Sequence, residues 1–73
     1  MTIEEIQSLV CLQLGLKRAG AEDHLVSDLG AESADLVNLV ATVEDKYGIA
    51  IAEDEIPDIR TVRDLYERIR DRR

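Results

Sequence analysis

The side chain best placed for chemistry is the hydroxyl of Ser33, at the start of the most clearly helical stretch in the chain. It lies in the run from Asp28 to Leu36 (DLGAESADL), with carboxylates on both sides. The first N–H groups of a helix have no partners within that helix, and they carry the positive end of its dipole. A phosphate ester on Ser33 would therefore lie where an anion is stabilised.

A second interpretation of the same serine is purely structural. Serine is among the commonest N-cap residues, and on spacing alone a cap is the more frequent role. The two roles are compatible, since the oxygen of a cap can also bear a phosphate. Hydrolysis is not favoured, because the sequence offers Ser33 no plausible base and contains no Gly-rich phosphate loop. No catalytic residue is predicted.

The remaining reactive side chains indicate neither a metal site nor a redox site. Cys11 is the single cysteine, so it forms no internal disulfide, and we expect an idle surface thiol. His24 has no cysteine or second histidine as a partner. Paired acids such as Asp54 and Glu55 lack the ligand spacing of a dedicated Mg²⁺ or Ca²⁺ site. We expect loose association of counterions there.

Negative charge is concentrated in the middle of the chain. From Glu22 to Asp58 there are eleven acidic residues against Lys46 alone, a net charge of −10, whereas the whole chain carries −7. Such a segment repels nucleic acid and anionic lipid and attracts basic protein surfaces. We therefore expect partners that present Lys and Arg, and a marginal fold that becomes more stable with added salt.

The length of 73 residues predicts one small domain, residues 1–73, without a deep catalytic cleft. Its core must be aliphatic, because Tyr47 and Tyr66 are the only aromatic residues, and it can supply about 3–5 kcal/mol. No apolar run approaches the length of a membrane span, and the first residues lack the basic segment of a signal peptide. These features favour a soluble, cytoplasmic monomer.

The first predicted helix begins at Thr2, which with Glu5 forms a capping box, and ends at Gly15. Its buried face is expected to comprise Ile3, Ile6, Val10 and Leu14, with Leu9 at the side and with Cys11 and Leu12 exposed. A polar connection over residues 17–32 follows. Its expected apolar anchors are Leu25 and Val26, and its length is typical of a functional loop.

The second helix is predicted from Ser33 to Tyr47, with Gly48 as a left-handed stop. Residues 49–51 are expected to form a buried loop rather than a strand, and residues 53–56 one helical turn. A last helix is predicted to start at the N-cap Thr61, with ion pairs Asp64–Arg68 and Arg63–Glu67 on its outer face. Its buried stripe is Val62, Leu65, Tyr66 and Ile69.

Together, the DLGAESAD run, the helix to Tyr47 and the start of the last helix at Thr61 resemble acyl carrier proteins. The similarity covers nearly the whole chain. It implies an all-α four-helix bundle with three main helices and one short helix. It also implies that a separate phosphopantetheinyl transferase attaches 4′-phosphopantetheine from coenzyme A to Ser33. The thiol of that arm would hold acyl groups as thioesters, and the protein itself would be a carrier and not an enzyme.

The resemblance also implies where partners and cargo lie. Acyl-transfer and condensing enzymes of fatty-acid, polyketide or related biosynthesis would dock through basic surfaces on the second helix. The matching docking residues are Glu32, Asp35, Val37, Ala41, Glu44 and Asp45. Acyl chains would lie between the helices. The residues expected to line that space are Leu39, Val43, Ile51, Ile59, Val62 and Leu65.

Three departures from the family pattern favour a specialised carrier for one pathway. The usual Asp-Ser-Leu reads Glu32-Ser33-Ala34, acidic docking positions are replaced by Asn38 and Lys46, and Ala41 is small. Two alternatives stay open from the residues. One is an unmodified acidic interaction domain in which Ser33 only caps its helix, and the other is a carrier of aminoacyl or peptidyl groups.

Overall fold

Three α-helices and one short 3₁₀ helix make up the regular structure. The computed structural model describes all residues from Met1 to Arg73. Helix α1 is Ile3–Leu14, α2 is Ser33–Tyr47, the 3₁₀ helix is Glu53–Asp58 and α3 is Val62–Arg70. No strand forms, and His24 and Thr61 make one isolated antiparallel bridge. This order confirms the predicted all-α class with three main helices and one short one.

The predicted helix ends are confirmed at the capping residues. The Thr2 hydroxyl oxygen accepts a hydrogen bond from the Glu5 N–H at 3.3 Å. Gly15 and Gly48 close α1 and α2 with φ angles of 69° and 65°, in the left-handed region that glycine adopts without steric cost. The 3₁₀ helix runs two residues further than predicted, to Asp58, and includes Pro57.

A single aliphatic core joins α1, α2, α3 and the connections. All fourteen buried residues are apolar, and no charged side chain is buried. They are Ile6, Leu9, Val10, Ala19, Leu25, Ala31, Leu39, Val40, Val43, Ile51, Ile59, Val62, Leu65 and Ile69. Because Ile51 is buried within an irregular segment, the expected buried loop at residues 49–51 is confirmed. None of the helices has the length and hydropathy needed to cross a membrane.

Three predictions about single residues near the core are wrong. Ile3, the first residue of α1, is only half-buried and lies outside the core cluster. Val26 is 49% exposed and does not anchor the connection. The Leu25 N–H donates to Arg60 O and the Leu25 carbonyl accepts from the Ala31 N–H. Because these bonds fix the backbone at Leu25, only the Leu25 side chain is buried. Cys11 is half-buried and packs against the core, whereas Leu12 is 80% exposed as expected. Helix α1 contacts both α2 and α3, so its buried face is wider than a single stripe.

The two ion pairs predicted along α3 are also wrong. Arg63 pairs with Glu22 at 2.9 Å, and Arg68 pairs with Glu55 at 3.0 Å. The carboxylate of Asp64 is used instead at the start of α3, where it accepts hydrogen bonds from backbone N–H groups. The arginines therefore tie α3 to the connection and to the 3₁₀ helix rather than to neighbouring turns of their own helix.

Candidate functional site

The hydroxyl of Ser33 is not an N-cap, which corrects the structural interpretation of this residue. The N-cap of α2 is Glu32, in an extended conformation, and Ser33 is the first residue of the helix. Asp35 Oδ2 accepts a hydrogen bond from the Glu32 N–H at 2.9 Å. The first backbone bond of the helix runs from the Leu36 N–H to Glu32 O at 3.1 Å. Ser33 therefore follows the capping position by one residue.

This offset leaves the Ser33 side chain free. The residue is exposed, and its hydroxyl makes no hydrogen bond within the protein. The backbone N–H groups of Ser33 and Ala34 have no carbonyl partner either, as expected in the first turn of a helix. An accessible hydroxyl thus stands beside two unpaired N–H donors, an arrangement that suits a covalently bound phosphate.

The connection before Ser33 is held by a set of local hydrogen bonds centred on His24. The Asp28 Oδ2 atom accepts from the His24 N–H at 2.7 Å. The His24 Nδ1 atom accepts from the N–H groups of Val26 and Ser27 at 3.2 and 3.1 Å. Gly30, at a φ of 73°, completes the turn into α2. This structural role of His24 was not predicted from the sequence. A polar side chain that accepts hydrogen bonds from the N–H groups two and three residues later is nevertheless a known turn pattern.

Beside Ser33 lies a groove of about 400 Å³ between α2 and the 3₁₀ helix. We call it the Ser33 groove, and its lining residues are Ser33, Leu36, Val37, Glu53, Ile56 and Pro57. Leu36 and Ile56 also pack against the core, whereas Val37 is 51% exposed. Of these apolar residues only Val37 belonged to a predicted site. The others could have been suspected from the Ile56-Pro57 pair and from the apolar position three residues after Ser33.

The six residues predicted to line an acyl-chain space are all buried in the core. They are Leu39, Val43, Ile51, Ile59, Val62 and Leu65, and none of them lines the Ser33 groove. Leu36 and Ile56 belong to both regions, since they line the groove and pack on the core cluster. A chain that entered from the groove would therefore meet these two side chains first. The role of the six residues stays a prediction.

The predicted docking residues differ in their exposure to solvent and in whether their carboxylates are already hydrogen-bonded. Glu32, Val37, Ala41 and Asp45 are exposed. Asp35 and Glu44 are partly buried, and both of their carboxylates are engaged. Asp35 bonds the Glu32 N–H, and Glu44 Oε2 accepts from the Ile51 N–H at 2.9 Å, across to the segment after α2. Any partner that binds α2 would find Glu32 and Asp45 as its unengaged acidic contacts.

Comparison with known proteins decides the family. Residues 4–69 match the family model described as phosphopantetheine attachment site. The chain belongs to this family. The prosthetic group of the family is covalently attached 4′-phosphopantetheine, and its acyl carrier proteins are carriers and not catalysts. The resemblance noted from the sequence is thus confirmed at the level of family, fold and prosthetic group.

Solved structures of this carrier fold are also similar. A Mycobacterium tuberculosis protein described as an acyl carrier protein is 33% identical, with a TM-score of 0.88 over 94% of this chain and 95% of that one. The acyl carrier protein of Thermotoga maritima is 28% identical, with a TM-score of 0.79 over 96% of this chain and 84% of that one. A chain in the ishigamide ketosynthase/chain length factor structure is 21% identical, with a TM-score of 0.77 over 96% and 90%. That last likeness concerns the fold alone.

The residues around Ser33 fit the family's prosthetic group. A phosphodiester needs an accessible hydroxyl, and Ser33 is exposed and unbonded. The two unpaired N–H groups can face its charge. The adjoining groove offers Leu36, Val37 and Ile56 as an apolar surface for whatever extends from the serine. No group in the immediate surroundings competes for the serine oxygen.

Proposed function

We propose that this protein is an acyl carrier that bears 4′-phosphopantetheine on Ser33 and passes acyl intermediates between biosynthetic enzymes. The observation that carries the proposal is the exposed, unbonded hydroxyl of Ser33, one residue after the cap of α2. When bound, the arm supplies a terminal thiol that holds an acyl group as a thioester. The protein contributes the attachment oxygen, the surface that partners bind and an apolar groove for cargo.

Attachment requires a nucleophilic oxygen and a place for the resulting charge. The Ser33 oxygen would bond to the coenzyme A phosphorus that carries pantetheine, the bond from that phosphorus to the rest of the nucleotide would break, and the serine proton would pass to a base of the transferase. The product keeps one negative charge on the phosphodiester. The N–H groups of Ser33 and Ala34 would stabilise that charge at the positive end of α2.

Partner binding is proposed on the exposed side of α2. Glu32 and Asp45 supply free carboxylates near its two ends, and Val37 and Ala41 supply apolar contact between them. The expected partners are a phosphopantetheinyl transferase and acyl-transfer and condensing enzymes with basic surfaces. Contacts of this kind speed encounter without requiring slow release, as a shuttle needs. Asp35 and Glu44 add to the negative charge of this surface, but because each carboxylate also accepts a backbone hydrogen bond, it has fewer free lone pairs for a partner's Lys or Arg.

The cargo is proposed to be an acyl chain of fatty-acid, polyketide or related biosynthesis. The Ser33 groove is apolar along Leu36, Val37, Ile56 and Pro57, which favours hydrocarbon over charged cargo. A methylene that is fully buried from water gains about 0.8 kcal/mol, and one that lies against an open groove gains a fraction of that. The departures Asn38, Lys46 and Ala34 support a carrier dedicated to one pathway.

Loading in vitro tests the proposal. The purified protein is incubated with coenzyme A and a broad-specificity phosphopantetheinyl transferase, and its intact mass is measured. We expect a mass increase of one phosphopantetheine, absent in Ser33→Ala. The matched control is Ser27→Ala, which removes the hydroxyl of another exposed serine six residues earlier and should load normally. Absence of any mass increase with several transferases would contradict the proposal.

A further inference from the structure

The 3₁₀ helix contributes to two different surfaces. Glu53, Ile56 and Pro57 line the Ser33 groove. Glu55, in contrast, is held by α3 and the residues after it. Its Oε1 atom accepts a hydrogen bond from Arg68 Nη1 at 3.0 Å and also contacts the Arg72 guanidinium. Its Oε2 atom accepts from the Ala52 N–H at 2.8 Å, at the start of the same 3₁₀ helix.

The 3₁₀ helix has little apolar packing to hold it besides that of Ile56, which is half-buried and packs against the core. None of the residues of the 3₁₀ helix is buried, although Ile51 and Ile59 on either side are. A segment without buried apolar side chains has little intrinsic stability and depends on its polar contacts. The Glu55 and Arg68 side chains are only 21% and 28% exposed, so their ion pair is less screened by solvent than a typical surface pair.

The protonation behaviour of Glu55 agrees with this geometry. The hydrogen bond from Arg72, followed by that from the Ala52 N–H, lowers the pKa of the Glu55 carboxyl to about 2. The carboxylate is therefore charged throughout the physiological range, so its attraction to the arginines does not vary with pH in that range. Glu55 thus connects α3 to one wall of the Ser33 groove.

From these contacts we propose that Arg68, acting through Glu55, positions the 3₁₀ helix that forms one wall of the Ser33 groove. With the ion pair formed, the wall carrying Ile56 and Pro57 is held in place. With the pair broken, that wall moves more freely and a chain in the groove is more exposed to water. Arg68 is a positioning residue in this scheme, because it acts on the groove through Glu55. The part that concerns acyl chains rests on the proposed function.

Hydrogen exchange in the unmodified protein tests the positioning step without any cargo. The reporters are the Glu55 N–H, bonded to Ala52 O, and the Ile59 N–H, bonded to Ile56 O, both at 3.0 Å. We expect Arg68→Gln to speed their exchange roughly two- to fivefold, the range expected for losing a modest ion pair. Arg70→Gln is the matched control, since it removes the same charge from α3 but its partner is the adjacent Asp71. Arg68→Lys should restore part of the protection.

Equal exchange in Arg68→Gln and Arg70→Gln would overturn the positioning role. Global destabilisation is separated by following the Leu16 N–H, which bonds Cys11 O at the end of α1 and should not change. If Arg68→Gln raised the exchange rates of both reporters and of the Leu16 N–H together, Arg68 would only stabilise the whole fold, and the proposed positioning role would be wrong.

A second experiment extends the test to cargo. The protein is loaded with acetyl or decanoyl pantetheine, and the rate of thioester cleavage by hydroxylamine is measured for each. We expect Arg68→Gln to raise the decanoyl rate roughly two- to fivefold and to leave the acetyl rate unchanged, because only the long chain reaches the groove. An unchanged decanoyl-to-acetyl ratio would overturn this step. Failure of the wild type to load would instead contradict the proposed function and leave the exchange result standing.

Discussion

The N-termini of α2 and α3 contain similar residues, but the hydroxyl group has a different role in each. At α3, Thr61 occupies the N-cap, its hydroxyl oxygen accepts from the Asp64 N–H at 3.1 Å, and Asp64 Oδ2 accepts in return from the Thr61 N–H at 3.0 Å. At α2, Glu32 occupies the N-cap, and Asp35 Oδ2 accepts from its N–H. The hydroxyl comes one residue later, on Ser33, and bonds to nothing.

A difference of one residue in position thus separates a capping hydroxyl, on Thr61, from an unbonded one, on Ser33. An N-cap side chain turns back over the helix end and accepts a hydrogen bond from one of its N–H donors. A side chain at the first helical position has no such role. The capping hydroxyl stabilises the start of α3, whereas the start of α2 leaves an exposed hydroxyl and two unpaired N–H donors, where we propose that the phosphate is attached.

The largest expected effect is on loading, and it comes from Ser33→Ala. We expect this variant to lose phosphopantetheine attachment entirely, as measured by intact mass. Its free energy of unfolding should change by less than about 0.5 kcal/mol, because an exposed side chain without hydrogen bonds is removed. A loss of about 1 kcal/mol in urea denaturation would show that the Ser33 hydroxyl caps α2 in solution, as the Thr61 hydroxyl caps α3.

The converse change is Thr61→Ala at the start of α3. We expect normal loading but a loss of about 1–2 kcal/mol in the free energy of unfolding, since the Asp64 N–H loses its acceptor. Urea denaturation and intact mass on the same sample measure both quantities. A Thr61→Ser variant, which keeps the hydroxyl, should recover most of the stability. If Thr61→Ala and Ser33→Ala were equally stable, the two helix starts would not differ as described.

A smaller, pH-dependent effect is expected for Asp64→Asn. Burial raises the pKa of the Asp64 carboxyl, but the hydrogen bonds from Thr61 and Arg60 together outweigh it, so the net shift is downward. A carboxyl with a lowered folded pKa contributes stability above its unfolded pKa of about 3.9 and loses it as the pH falls further. We expect Asp64→Asn to cost about 1 kcal/mol at pH 7. That cost should shrink below about pH 4.

Urea denaturation of the two proteins at neutral and acidic pH measures this difference. Asp35→Asn serves as the comparison, because Asp35 accepts one backbone N–H at the start of α2 whereas Asp64 accepts two. A smaller loss for Asp35→Asn is expected. A cost of Asp64→Asn that grows on acidification would contradict the assigned role of the carboxylate.

The smallest effect concerns salt and the charge of the two regions. The segment from Glu22 to Asp58 carries a net charge of −10, whereas residues 60–73, which include α3, carry +3. At about 0.1 M salt the screening length is about 10 Å, which weakens repulsion within the acidic segment. Exposed pairs such as Arg63–Glu22 lose little, since they contribute little. We expect the melting temperature to rise between low and moderate ionic strength. A constant or falling value would contradict this expectation.

Local features of the fold were predictable from the sequence because their causes are local. Thr2 with Glu5, Gly15, Gly48 and Thr61 mark helix ends through contacts within a few residues, and all four ends are confirmed. Ser33 was recognisable as a candidate from the residues around it. The choice between Ser33 and Glu32 as N-cap was not, because both can begin a helix and a one-residue shift depends on how the preceding turn is held.

Features that depend on tertiary contacts could not be read from spacing. The Arg63 side chain forms its ion pair with Glu22, 41 positions away, and not with Glu67 on its own helix. The Ser33 groove exists only once the 3₁₀ helix is placed against α2, which brings Ile56 near Leu36. The exposure of Val26 follows from the bond between the Leu25 N–H and Arg60 O, which joins distant parts of the chain. The candidate attachment point was therefore predictable, and its surroundings were not.

The most direct test of the central claim is the covalent state of Ser33 in protein purified from the cells that produce it. Intact mass, followed by fragmentation of the peptide that contains residues 28–36, identifies the modified atom. We expect a single phosphopantetheine on the Ser33 oxygen. An unmodified Ser33 under every growth condition tried, or the group on another residue, would contradict the central claim.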